Sequence, residues 1–189
     1  NFAKKHKLKI GKIDDLISYR LGCENFIKLK KISNIKINKQ NYMIKIFENL
    51  LDSSENFALI KGNLKKNKTP RVRVISSNIV KNYLLGEKLP NSFNNTINYF
   101  KKYKDCVLVF IRDTNLKSVS ETLAGYKTKK FYKKGQDKLI RNYGIGAQII
   151  KALGIKNMIL VTRSRKKVIG LDGYGIKITK QEIIKWNYV

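Results

Sequence analysis

Hydrophobic patterning along the chain predicts a series of short strands separated by helices. Tyr42-Met-Ile-Lys-Ile-Phe47 alternates like a strand, and Phe57-Ala-Leu-Ile-Lys-Gly62 follows after the polar turn Asp52–Asn56. Asn63–Thr69 is a Lys/Asn loop closed by Pro70, and Val72-Arg-Val-Ile75 is the next strand. Cys106–Ile111 is apolar throughout, which fits a central strand covered on both faces. Asn157–Val161 is a further strand, and Gly173–Thr179 reads as a turn into a last one. Ser92–Tyr103 sets Phe93, Ile97 and Phe100 at helical spacing, with Ser92 as the cap. Leu116–Tyr126 is a second helix, and Ile145–Leu153 a third that Gly154 ends. Helices alternating with buried strands define an α/β fold, a mixed sheet flanked by helices.

The remaining segments carry weaker patterns. Ile13 ahead of Asp14 and Asp15 gives a staple and a cap before Leu16–Arg20, so Phe2–Arg20 is expected to run helix end, short strand, helix. Residues 21–40 read as a basic connector with weak strand patches, and Lys127–Lys138 as another connector. With 189 residues, 42% of them hydrophobic, the chain can bury the core of one domain, or of one domain plus a segment of another. It begins without Met and inside an amphipathic pattern, so it is expected to be part of a longer polypeptide. The longest apolar runs, such as Val107–Ile111 and Met158–Val161, are too short to span a bilayer, and no secretory signal pattern is visible. A cytoplasmic or organellar-matrix location is expected, with no membrane partner.

Charge adds a second theme. Lys and Arg number 41 against 13 Asp and Glu, a formal net charge of +28. Lys, Asn and Ile are abundant together, as coding bias in an AT-rich genome would make them, yet the same bias should raise Glu, which is scarce. The excess is also the footprint expected of a polyanion partner such as RNA, with Lys65–Arg73 and Lys127–Lys138 as basic segments. Arg163-Ser-Arg-Lys-Lys167 is the densest basic run. The two cysteines, Cys23 and Cys106, offer no disulfide framework and both read as small core residues. His6, the one histidine, sits on a Lys-rich helix end and reads as inert. Trp186 and Tyr188 read as packing residues of a terminal segment.

Three late motifs sharpen the reading: Arg141-Asn-Tyr-Gly-Ile-Gly-Ala-Gln148, Val161-Thr-Arg-Ser-Arg-Lys-Lys-Val-Ile-Gly170 and Leu171-Asp-Gly-Tyr-Gly-Ile176. A lone Gly-x-Gly before a helix would signify only close packing. Together, at family spacing, the three resemble the closing half of a GTP cyclohydrolase II domain, the zinc enzyme that opens the riboflavin pathway. The similarity covers roughly Glu55–Ile178. Phe2–Arg20 resembles the last helix and strand of dihydroxybutanone phosphate synthase, often fused ahead of the cyclohydrolase. The resemblance divides the chain into a synthase remnant (1–22), a connector with first strands (23–54) and a cyclohydrolase-like domain (55–189). It implies an upstream synthase domain as partner, and a homodimer.

The same resemblance locates the chemistry and its losses. The family strand that matches Pro70–Ser77 carries GTP-contacting residues and leads into the first of three zinc cysteines. Arg73 and Ser76 match it, but Ile75 stands at the family's histidine, Ser77 at its glutamate and Asn78 at the first cysteine. Ungapped spacing puts the other two metal positions at Leu89 and Asn91. Zinc requires about four N, S or O donors, with thiolates the usual choice. Glu87 is the only ionisable ligand type between residues 71 and 95, so no zinc, and no other cofactor, is expected. The family's Arg-Gln-Glu-Gly-Arg grip on the nucleotide reads Arg112-Asp-Thr-Asn-Leu116 here, and the next segment is rewritten as Lys117–Gln136. Of the family's Asp/Arg pair Arg141 remains, while Leu139 replaces the aspartate, leaving the arginine as a fixed cation. Without a metal-activated water, purine ring opening has no evident route.

What remains is a phosphate-friendly set: Arg73, Ser76, Asn94 (where the family has Gln), Arg141, Thr162 and Lys167. A helix opening near Gly144–Ala147 is expected to add free N–H groups favourable to an anion. The resemblance thus implies a catalytically inactive domain that keeps GTP or phosphate binding and a scaffolding or dimerisation role. The alternatives are a retired domain recruited as an RNA-binding or ribonucleoprotein subunit, and a still-active cyclohydrolase.

Overall fold

The computed structural model describes residues 2–11, 16, 19–20, 23–66, 68–77, 92–113, 120, 136–165 and 171–184, without side chains for 136–143 and 172. Its strands are β1 (Ile27–Ile37), β2 (Gln40–Asn49), β3 (Glu55–Lys61), β4 (Arg71–Ser76), β5 (Cys106–Ile111), β6 (Asn157–Thr162) and β7 (Lys177–Ile183). They form one sheet in the order β1-β2-β3-β5-β4-β6-β7. The first three strands make an antiparallel meander, and β3 pairs antiparallel with β5. From β5 onward, β4, β6 and β7 are parallel. The helices are α1 (Phe2–Lys5), α2 (Ser92–Phe100) and α3 (Gln136–Ala152), and a 3-10 turn spans Asp172–Tyr174. The mixed sheet flanked by helices matches the architecture expected from the pattern.

Side-chain alternation sorts the core into two layers. Val107, Val109 and Ile111 of β5 join Val72 and the α3 residues Ile145, Ile149 and Ile150. Cys106 and Leu108 join Ile75 and the α2 residues Ile97 and Phe100 on the other face. Strand β5 is therefore covered on both sides, as its unbroken apolar run requires. Fully burying one such aliphatic side chain stabilises the fold by about 1.5–3 kcal/mol. The α2 end is held by Lys61, whose Nζ donates to the carbonyls of Phe100 (2.8 Å) and Lys101 (3.4 Å).

Four expectations need correction. Residues 27–37, expected as connector with weak strand patches, form the longest strand. A bulge between Leu29 and Lys31 shifts the alternation by one residue and hides the period. The turn to β2 is Asn38–Lys39, both at positive φ as a two-residue hairpin demands. Next, α3 begins at Gln136, not near Ile145, so Gly144–Ala147 lies inside the helix. Its N–H groups are spent on helical bonds, and no anion-binding helix opening exists there. Glycine at 146 instead serves packing: a Cβ would sit 3.2 Å from Ile111 Cδ1 and 3.3 Å from Val74 Cγ1. Third, residues 8–11 form no strand, and Leu8 and Ile10 are exposed. Fourth, Cys23 is exposed and only Cys106 is buried. The end of α3 is as expected: Gly154, at φ +76°, donates to the Lys151 carbonyl while Ile155 donates to that of Ile150. The predicted Leu116–Tyr126 helix, the staple at Ile13–Asp15, and Trp186 and Tyr188 lie outside the described residues, apart from a helical Ser120.

Candidate functional site

Chain order sets where a ligand can sit. Strand β4 leads through α2 to β5 on one side, and the chain then crosses back by α3 to β6 on the other side of β4. At such a reversal of connection direction, the carboxyl ends of the strands border an open crevice. The register shows that crevice. Strand β4 pairs with β5 along its whole length, from Arg71↔Cys106 to Ser76↔Ile111. With β6 it shares only Arg71↔Ile159 and Val72↔Leu160. Beyond Val72, β4 and β6 part company.

Arg73 bridges the gap. Its side chain is buried, and Nη1 donates to the Val161 carbonyl at 3.1 Å. Thr162, the last residue of β6, is buried, and its Oγ1 has no hydrogen-bond partner among the described residues. A buried hydroxyl without a partner costs about 1–3 kcal/mol, so it is a natural place for a ligand atom to bond. Ser76 ends β4 exposed at the same rim. Asn94 is exposed in the first turn of α2, the helix on the opposite face of the sheet from α3. Of the other candidates, Arg141 and Leu139 lie on α3 in its first two turns, and their side chains are not described. Lys167, Asn78, Leu89 and Asn91 lie outside the described residues. The structure thus brings Arg73, Ser76 and Thr162 to one edge.

Several residues acquire their bonding role around this rim only in the structure. Asn56 is buried on β3, on the core parity of Ala58 and Ile60, and its Oδ1 accepts from the Arg112 amide at 3.0 Å. Ser77 Oγ accepts from the next amide, Asp113, at 2.9 Å, while the Ser77 amide donates to the Ile111 carbonyl at 2.8 Å. Side chains from β3 and the end of β4 therefore fix the chain as it leaves β5. Gln148, buried on α3, donates to the Glu24 carbonyl (2.7 Å) and accepts from the Phe26 amide (2.9 Å). A polar residue at a core position was the available signal for both Asn56 and Gln148.

A second polar cluster locks β7 to β4 and α2. Arg71 pairs with Glu182 through Nε at 2.9 Å and Nη2 at 3.2 Å, and lies 3.6 Å over the Tyr103 ring. The Tyr99 hydroxyl donates to the same carboxylate at 2.5 Å. Burial pushes the Glu182 carboxyl up, but hydrogen bonds from Tyr99, Arg71 and Lys180 outweigh it and hold the group below its ordinary range. Cys106 sits at the far, amino-terminal end of β5, where burial pushes its thiol up to about 12.

Among the described residues, no group of three or more His, Cys, Asp or Glu side chains is placed to hold a metal ion. Cys106 opens β5 at the opposite end from Ser76, is fully buried, and stays protonated; Cys23 is on the exposed N-terminal segment.

Comparison with known proteins identifies the family and supports the fold. The family model for GTP cyclohydrolase II matches residues 30–182, and the chain belongs to that family. It is 31% identical over 193 residues to the riboflavin biosynthesis protein RibBA of Endomicrobium trichonymphae, covering 95% of this chain and 47% of that protein. The RibBA of Aquifex aeolicus is 29% identical, with 97% of this chain and 48% of the relative covered. Among solved structures it resembles RibBX from A. baumannii, described as a two-domain 3,4-dihydroxy-2-butanone 4-phosphate synthase. That match has a TM-score of 0.69 at 25% identity, covering 98% of this chain and 48% of that one. The chain spans just under half the length of these relatives.

Proposed function

We propose that this chain is a catalytically silent GTP cyclohydrolase II-like domain of a riboflavin-biosynthesis protein, retaining phosphate or nucleotide binding in the β4/β6 crevice. The observation that carries this reading is the donor set: Asn78, Leu89 and Asn91 at the metal positions, with both cysteines elsewhere. Amides and an aliphatic chain cannot hold a zinc ion or lower the pKa of a bound water. The rim has also turned to internal bonding, since Ser77, at the family's glutamate position, holds the Asp113 amide. Relatives about twice as long, one described as a two-domain synthase, support a place beside a synthase domain. On this reading the family domain begins at β1, because β1 and β2 belong to the same sheet as β4 and β6.

Phosphate retention rests on Arg73 and on the unmatched Thr162 hydroxyl at the crevice. Arg141 and Lys167 supply further positive charge at family ligand positions. Thermal unfolding in millimolar GTP tests it. The melting temperature is expected to rise, and Arg141→Ala and Lys167→Ala should each remove most of the rise. No shift in the parent chain would leave only a scaffolding role.

A further inference from the structure

The acids of the described surface gather at one edge of the sheet, although basic residues (Lys28, Lys30, Arg112, Arg163 and Arg165) stand there as well. The acids Glu48, Asp52, Glu55 and Asp113 stand at the end of β2, before or at the start of β3, and after β5, all at the crevice edge. The amino-terminal ends of the parallel strands form the opposite edge, and lysines gather there. The loop from β3 to β4 carries Lys65, Lys66 and Lys68, all exposed. The segment from α2 to β5 carries Lys101, Lys102 and Lys104, also exposed. Folding brings the two triplets together: the Asn63 amide donates to Asp105 Oδ1 at 2.8 Å, and the Arg71 amide to the Asp105 carbonyl at 3.3 Å. Lys156 and Lys177 extend the edge, joined by the Lys177 amide and the Lys156 carbonyl at 2.8 Å. Asp105 is the one described acid there, and its carboxylate is engaged by the loop backbone.

Coding bias adds lysine everywhere and does not clear described acids from one strand end and leave them at the other. We infer that this lysine edge is a second binding surface, distinct from the crevice, for the phosphate backbone of a nucleic acid. From β3 to β7 the edge crosses four strand spacings of about 4.8 Å, roughly 19 Å. One strand of a duplex presents a phosphate about every 3.4 Å along the axis, so five or so phosphates match that length. Lysines rather than arginine forks line it, which suits charge-driven binding without sequence readout. Among the described residues, the edge has none of the large exposed apolar residues that a membrane-surface anchor needs; those lie on the N-terminal segment, on β1, β2 and the turn after it, and at Ile183.

Fluorescence anisotropy of a labelled ~20-nucleotide single-stranded RNA, titrated over a salt series, tests this. One variant changes Lys65, Lys66, Lys68, Lys101, Lys102 and Lys104 to Gln; two others change each triplet alone. A control changes Lys4, Lys5, Lys7, Lys9, Lys28 and Lys31 to Gln, removing equal charge elsewhere. The six-site edge variant is expected to lose tenfold or more in affinity and to show a flatter salt dependence, with each triplet intermediate. The control should lose little, and excess GTP should not displace the RNA. Equal losses in control and edge variant, no RNA binding at low salt, or binding of phosphatidylserine vesicles in place of RNA would each overturn the inference.

Discussion

Thr162 shows how one residue holds the functional reading. Its hydroxyl is buried at the end of β6 with no partner among the described residues. Thr162→Val keeps the shape and removes the unmatched group, so stability should rise by about 1 kcal/mol. The stabilisation by GTP should shrink in the same variant, as calorimetry with and without ligand would show. An unchanged GTP response would separate the hydroxyl from binding. The cysteines make a simpler test. At about pH 8 a thiol reagent should modify Cys23 at once and Cys106 only on unfolding, because burial raises the Cys106 pKa to about 12. Residue identity alone did not separate these two thiols. Both looked like small core residues, and only the tertiary environment shows that one is exposed.

At the scale of elements, the strands with clean alternation or unbroken apolar runs were legible, β2 through β6 among them. β1 was not, because the bulge at Leu29/Lys31 breaks the period and nearly every residue of the strand is exposed. The start of α3 was misplaced because Gly144 and Gly146 look like a helix opening, whereas Gly146 admits the helix against Ile111 and Val74. The Arg71–Glu182 lock was illegible for a different reason: its partners are 111 residues apart. With both side chains mostly buried, Glu182→Gln is expected to cost about 2 kcal/mol at neutral pH, a discounted value for a partly exposed pair. The sign follows from linkage. Glu182 is held below its ordinary carboxylate range in the fold, so its contribution is fully present above about pH 4.5 and is lost as acid titrates the folded group. Chemical denaturation between about pH 6 and pH 3 should show a steeper loss for the parent chain than for the Gln variant. Parallel curves would mean that the pair contributes nothing.

For the whole molecule, the late motifs made the family readable from sequence, and the seven-stranded sheet and the family match over residues 30–182 agree with it. The candidate site was only partly readable. Arg73, Ser76 and Thr162 do meet at one edge, but Asn56, Ser77 and Gln148 emerged only once the strands were placed in register. The meeting of the two lysine triplets at the other edge likewise depends on topology, since they are far apart in the chain. The proposed loss of metal chemistry in a retained scaffold is decided by formate release from GTP, assayed with the purified chain and stoichiometric zinc: no formate above the protein-free control is expected, and sustained turnover would overturn the proposal.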